Sequence, residues 1–376
     1  MIISRTPIRI SLVGGSTDIA NFYRRYGGEV ISTAIDKYIS VRITRRRNSQ
    51  IAINTPDHRE TVSDPDQIQH PLIREAVRKT FPPASGGVRG DGISITVTSD
   101  IPSRGCGLGS SSALTVGLLN ALYAYRGIEM STETLAQQAC KIEIERLKQP
   151  IGKQDQYIAA YGGLRRIQFN RDESVDTQAI PVTPETIPHL EQHLLLFYTG
   201  IQRRAETILN KQKRSANPQT LLQIKNLVPA FYDVLVEGNH KCLHSDSSGG
   251  CPYKNGNRED CLCEVGGLLH RAWELKCSLC DSISNPILDT IYERAIAAGA
   301  LGGKILGAGG GGYFLFYVPK EKQGAVTAAL SDLGLSRLGF HFEPQGSQII
   351  ESGSIEPFIA RQPPQVVDRN PVNSLR

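Results

Sequence analysis

Gly107-Leu108-Gly109-Ser110-Ser111-Ser112-Ala113 stands between an alternating stretch, Ile93-Ser94-Ile95-Thr96-Val97, and an apolar run over residues 113–125. The alternation predicts a half-buried strand and the apolar density a buried helix, so the loop opens a helix. N–H groups at a helix start lack intrahelical partners and carry the positive end of the dipole. Glycines let the backbone approach a ligand closely, and serine hydroxyls add hydrogen bonds or an Mg²⁺ ligand. The seven residues therefore predict an anion site. Capping a helix needs one serine, not three.

Two common phosphate loops are excluded. The chain contains no G-x-x-x-x-G-K-[ST]. Gly307-x-Gly309-x-x-Gly312 has dinucleotide-fingerprint spacing, but that fingerprint must open a helix. Here Tyr313-Phe314-Leu315-Phe316-Tyr317-Val318 follows, which reads as a strand.

Phosphoryl transfer also needs charge neutralisation, Mg²⁺ and a group that positions the attacking hydroxyl. Gly152-Lys153-Gln154-Asp155-Gln156-Tyr157 sets an acid between a turn and a helix, and Glu143 lies on the preceding helix, expected over residues 132–147. Asp155 is the candidate to accept or orient the hydroxyl proton, and Glu143 to hold Mg²⁺. Each alone reads more readily as a cap or a solvated acid, and it is the motif context that favours the functional reading. Near the start, Pro7-Ile8-Arg9-Ile10-Ser11-Leu12-Val13-Gly14-Gly15-Ser16-Thr17-Asp18 puts a cation in an apolar strand and an acid at its end. Strand alternation alone could turn Arg9 to solvent; the functional reading has it stabilise transferred charge while Asp18 grips sugar hydroxyls.

Further strands are expected over residues 2–13, 30–45, 164–169, 193–198 and 339–342. Helices are expected over 72–80, 203–236, 267–279 and 286–298, and residues 304–318 read as strand-turn-strand. The two element types mix without strict alternation, which points to an α+β fold rather than a doubly wound sheet. At 376 residues the chain is too long for one ordinary core, so two lobes are expected.

A net charge of +5 is mild and shows no basic stripe interleaved with aromatics, so no nucleic-acid partner is expected. No apolar stretch reaches the roughly 18 residues of a membrane span. Met1-Ile2-Ile3-Ser4-Arg5 is unlike a signal peptide, so the expected location is cytoplasmic, as a monomer or homodimer.

In this order, the opening segment, the loop 107–113 and Leu306-Gly307-Ala308-Gly309-Gly310-Gly311-Gly312 resemble the three motifs of the GHMP kinases: galactokinase, homoserine kinase, mevalonate kinase and phosphomevalonate kinase. The resemblance implies an N-terminal lobe like ribosomal S5 domain 2 over residues 1–190, a ferredoxin-like lobe over 191–361 and a tail over 362–376. It implies ATP and Mg²⁺, with Asp155 and Arg9 catalytic and Gly107, Leu108, Gly109, Ser110, Ser111, Ser112 and Ala113 on ATP. Ser111 and Glu143 are implied as the Mg²⁺ ligands. Gly15, Ser16, Thr17, Asp18, Lys153, Gly309 and Gly310 are implied on the substrate. Ser32-Thr33-Ala34-Ile35-Asp36-Lys37-Tyr38, Ile151-Gly152-Lys153-Gln154-Asp155-Gln156-Tyr157, Gly302-Gly303-Lys304-Ile305 and Leu268-Leu269-His270-x-x-Trp273-x-x-Lys276 resemble the branch acting on heptose 7-phosphate. That implies phosphorylation of the anomeric hydroxyl of D-glycero-D-manno-heptose 7-phosphate to the 1,7-bisphosphate, for nucleotide-heptose synthesis. Lys153, Lys304 and Lys276 are the candidates for gripping the phosphate already on this phosphosugar. The alternatives are another sugar kinase of the family, acting on fucose, galactose or a different phosphosugar, and a non-catalytic sugar or ATP sensor.

Residues 239–265 read as a cysteine-rich insertion. His240, Cys242, His244, Cys251, Cys261 and Cys263 are of zinc-ligating types, but their spacing matches no standard knuckle. A plain surface insertion is the expectation, with structural zinc and a redox-sensitive loop as the alternatives.

Overall fold

The computed structural model describes residues 1–81, 92–101, 105–202, 205–236 and 264–352. Two long strands, β1 (Ile2–Val13) and β2 (Gly28–Arg45), organise the larger sheet, with the short helix α1 (Ala20–Tyr26) between them. From Thr6 to Val13 every residue of β1 is buried, because α-helices cover both of its faces. Then come β3 (Ile51–Thr55), β4 (His58–Val62), α2 (Pro71–Thr80), β5 (Ile93–Ser99) and α3 (Ser110–Tyr125). α4 (Thr132–Cys140) runs into a π-helical turn, Lys141–Arg146, before α5 (Gln154–Tyr161), β6 (Leu164–Phe169) and β7 (Val175–Ala179).

The second lobe begins with α6 (Thr186–His193), β8 (Leu194–Tyr198), α7 (Ala205–Ser215), α8 (Pro218–Val236), α9 (Glu264–Cys277) and α10 (Pro286–Ala297). β9 (Gly302–Ile305), β10 (Tyr313–Tyr317), α11 (Gln323–Ser331) and β11 (Ser336–Leu338) complete it, and β12 (Gln348–Ser352) ends the described chain. Its sheet runs β11-β8-β10-β9, antiparallel throughout, in a ferredoxin-like βαββαβ succession. Leu195, Phe197, Phe314 and Phe316 pack on one face with Trp273 and Tyr292. Leu194, Leu196 and Leu315 turn the other face into the main core. The α+β, two-lobed expectation matches this architecture.

The larger lobe also takes up the end of the described chain. The larger sheet runs β12-β1-β2-β5-β3-β4, with β6 on the first half of β2 and β7 beyond it. β12 pairs with β1, Ile2 opposite Ser352 and Arg5 opposite Gln348, so the chain returns to the first lobe. A 2.8 Å hydrogen bond between the buried hydroxyls of Thr6 and Ser347 anchors the return. The strand expected over residues 339–342 is displaced: pairing falls at Ser336–Leu338, and Phe342 forms only an isolated bridge to Ile35. The cysteine-rich insertion, apart from Glu264 and Val265, and the tail over 362–376 lie outside the described residues. So do the zinc and redox readings attached to the insertion. Among the described residues no helix is long and apolar enough to cross a membrane.

Candidate active site

A cleft of about 1050 Å³ lies where the start of α3, the end of β1 and the start of α5 meet the turn between β9 and β10. Gly109 caps α3 at φ 74°, a left-handed conformation that favours glycine, and α3 starts at Ser110. Gly107, at φ 81°, lies against the Leu306 carbonyl, where a Cβ would come within 2.5 Å. These two positions let the loop pass between the lobes and aim its helix start at the cleft. Gly107, Gly109, Ser110, Ser111 and Ser112 line the cleft. Leu108 and Ala113 are fully buried and secure the loop to the core, so only their backbone could serve the ATP contact expected of them.

Arg9 does not turn to solvent. Its Nε donates to Asp155 Oδ1 at 2.8 Å and its Nη2 to Asp155 Oδ2 at 2.7 Å, a two-point ion pair. Nη1 donates to the Gly107 carbonyl at 2.6 Å, so one guanidinium ties β1, α5 and the glycine-serine loop together. A planar, multiply donating cation suits this geometry as an ammonium would not. Asp155, in the first turn of α5, remains partly exposed to the cleft.

Asp18 closes the turn after β1, where its Oδ2 accepts from the Gln154 N–H at 3.1 Å. Burial raises its carboxyl to about 6, against the pull of that hydrogen bond. Ser16 adopts a left-handed φ of 79° and its Oγ accepts from Gln212 Nε2 of α7 at 2.8 Å. Gly15, Ser16 and Asp18 face the cleft; Thr17 does not. Its hydroxyl serves the turn itself, near the Gly14 and Glu29 carbonyls and accepting from the Glu29 N–H.

Glu143 is fully buried on the π-helical turn. Its Oε1 accepts from Ser111 Oγ at 3.2 Å and its Oε2 from Gln156 Nε2 at 2.6 Å. Burial raises its carboxyl to about 7, opposed by Gln156, Ser112 and Ser111. A hydroxyl and a carboxylate side by side at a helix start fit Mg²⁺, which takes hard oxygens, keeps waters and needs one or two carboxylates beside phosphates.

Three implied substrate residues are placed elsewhere. Lys153 leans away from the cleft. Its Nζ donates to Glu173 Oε2 at 2.8 Å and to the Glu173 carbonyl at 3.0 Å, and it lies 4.7 Å from the Tyr23 ring centroid. Gly309 packs on Ile283 and Gly310 beside Ile208, while Gly307 and Ala308 of the same turn reach the cleft. Lys304 and Lys276 do line it. Lys304 is buried, its Nζ donates to the Leu12 carbonyl at 2.9 Å, and burial, then the nearby Arg9 charge, lowers it to about 7. Lys276 Nζ donates to the Ile305 and Gly307 carbonyls at 2.9 and 2.6 Å.

The sequence reading missed the two glutamines beside Asp155. Gln156 holds Glu143, and Gln154 reaches Ser11, Asp18 and Asp155. Their place next to the acid was the available signal. It also missed the far arm of the cleft, lined by Pro56, Asp57, Gln69 and Leu72.

Unpartnered N–H groups at a helix start, an acid clamped by arginine and a hydroxyl beside a carboxylate thus meet in one cleft of this two-lobed fold, an arrangement that fits an ATP-dependent small-molecule kinase. Residues 71–163 match the GHMP kinases N terminal domain and residues 258–334 the GHMP kinases C terminal domain. The chain thus carries both GHMP kinase domain types, in the family's order. It is 27% identical over 358 residues to the D-glycero-alpha-D-manno-heptose 7-phosphate kinase of Campylobacter jejuni, covering 91% of this chain and 97% of that one. It is 26% identical to the mevalonate kinase of Thermococcus sibiricus, over 91% and 98% of the two chains. Among solved structures, the D-glycero-D-manno-heptose 1-phosphate kinase of Bacteroides thetaiotaomicron superposes with a TM-score of 0.74 at 22% identity. That match covers 94% of this chain and all of the other.

Proposed function

We propose that the protein transfers the γ-phosphoryl group of ATP to the anomeric hydroxyl of D-glycero-D-manno-heptose 7-phosphate, giving the 1,7-bisphosphate for nucleotide-heptose synthesis. The observation that carries a phosphorylated substrate is Lys304, a buried ammonium on the cleft wall. Among the described residues no carboxylate lies within ion-pair distance of it. Burial without a counter-charge drives this amine towards its neutral form, and an anionic substrate group beside it favours the charged one. The full-length likeness to a heptose 7-phosphate kinase supports the choice of sugar.

In this reading the helix start at Ser110–Ser112 binds the ATP phosphates and Asp18 binds sugar hydroxyls. The anomeric oxygen attacks the γ-phosphorus, a new P–O bond forms, and the bond to the β-phosphate oxygen breaks to release ADP. The hydroxyl proton passes to Asp155, held in position by Arg9, and from there to water. Ser111 and Glu143 would hold Mg²⁺, which supplies charge neutralisation on the β- and γ-phosphates.

The test is ATP turnover with Mg²⁺ on mannoheptose 7-phosphate, the free heptose, fucose, galactose and mevalonate. Turnover is expected on the heptose phosphate, at least tenfold above the free sugar. Equal turnover of free and phosphorylated heptose would contradict the assignment.

A further inference from the structure

Resting on the reading that the reaction occurs at an anomeric carbon, we propose that Gln154 is the residue that recognises that carbon. Its side-chain Nε2 donates a hydrogen bond to the sugar ring oxygen beside the reacting hydroxyl.

Gln154 is only 3% exposed yet lines the cleft, between the acid of the chemistry and the acid of the turn after β1. Its backbone N–H donates to Asp18 Oδ2, and its side-chain Oε1 accepts from Ser11 Oγ at 3.1 Å. That leaves Nε2 facing Asp155 Oδ1 at 3.4 Å, a long contact to an oxygen that already accepts from Arg9 Nε at 2.8 Å. The orientation of the amide is set by chemistry. A carboxylate only accepts, so the nitrogen must face Asp155, while the Ser11 hydroxyl supplies the donor for the amide oxygen. Nε2 carries two N–H groups, and among the described residues its only bond is the long one to Asp155. A buried donor held next to a proton acceptor and left under-used is unfavourable unless a ligand completes it.

A substrate hydroxyl that gives its proton to Asp155 brings its own carbon and substituents against Nε2. In a cyclic aldose only the anomeric hydroxyl shares its carbon with the ring oxygen. That oxygen has no hydrogen and can only accept. Every other ring hydroxyl shares its carbon with hydrogen and carbon alone, so the nearest acceptor there is a hydroxyl oxygen one bond further off, itself also a donor. A donor set close beside the acceptor of the proton therefore favours the anomeric position.

The experiment compares kcat/KM for mannoheptose 7-phosphate and for its carba-analogue, in which CH₂ replaces the ring oxygen. It uses the wild-type chain, Gln154→Leu and Gln154→Met. Intrinsic reactivity differs between the two substrates, but it cancels in the ratio of ratios. The wild type is expected to prefer the sugar by roughly tenfold more than either variant does, the worth of one hydrogen bond. Equal loss on both substrates, with the wild-type preference intact, would overturn the proposal and leave Gln154 positioning Asp155. Unchanged melting temperature and ATP affinity in one of the two variants keep the comparison clear of misfolding. The product's ¹H–³¹P coupling separates the two readings: phosphate at another carbon overturns the anomeric reaction itself, whereas phosphate at the anomeric carbon with unchanged discrimination overturns only the role of Gln154.

Discussion

Asp18→Asn is expected to make the protein more stable at neutral pH while impairing it as an enzyme. Burial raises the Asp18 carboxyl from 3.8 to about 6, so the folded state pays to keep it ionised. Below about pH 4 the acid is protonated in both folded and unfolded chains and carries no penalty. Between pH 4 and 6 the folded chain holds the proton more tightly, and stability falls as pH rises; above pH 6 the penalty is complete. A shift of about two units at 1.36 kcal/mol each is about 3 kcal/mol. Asparagine mimics the protonated acid, and its carbonyl can still accept from the Gln154 N–H. Urea unfolding at pH 7.5 is expected to show the variant more stable by up to about 3 kcal/mol, with the gain vanishing near pH 4. Sugar kcat/KM at pH 7.5 is expected to fall roughly 10- to 100-fold, the worth of a hydrogen bond to a charged group. A variant no more stable than wild type at pH 7.5 would refute the account of Asp18 as a strained, desolvated carboxylate.

Asp155→Asn is expected to lower kcat by about 10² to 10⁴, the usual contribution of a positioned acid or base, with ATP affinity nearly intact. Near-normal turnover measured with saturating ATP and sugar would remove Asp155 from the chemistry. Gly107→Ala is expected to weaken ATP binding in titration calorimetry and to cost about 1–2 kcal/mol or more of stability. A left-handed φ of 81° disfavours any side chain, and the new Cβ would press on the Leu306 carbonyl. An alanine variant with wild-type affinity and melting temperature would show that the inter-lobe contact is pliable.

The parts legible in the sequence were those fixed by local pattern. Alternation marked β5, apolar density marked α3, and the glycine-serine run between them marked the loop that opens α3 onto the cleft. The apolar strand after Gly312 correctly removed the dinucleotide reading, since β10 lies there. What escaped depends on partners distant in sequence. Lys153 looked available beside Asp155, but Glu173, held at a left-handed φ of 74° twenty residues on, takes its ammonium. The helix over 132–147 had a continuous pattern, yet it loosens to a π turn at Lys141–Arg146, where Glu143 reaches Ser111 and Gln156. β4 and β7 were missed because their polar sequences, HRETV and VDTQA, keep only half-exposed faces at the sheet margin. The position of Gly307 and Ala308, rather than Gly309 and Gly310, at the cleft was set by packing on Ile283 and Ile208.

The pairing of the first strand with the last also bears on synthesis. Ile2 opposite Ser352 means that one flank of β1 stays open until nearly the whole described chain has left the ribosome. Until then the backbone of Ile2 to Arg5 offers free hydrogen-bonding groups of the kind that recruit stray strands. A nascent or truncated chain ending before Gln348 therefore carries a bare sheet edge, and its failure would be aggregation rather than the loss of a dispensable end. Folding of the first lobe is thereby tied to completion of the second, so a half-made protein presents neither a finished sheet nor a working cleft.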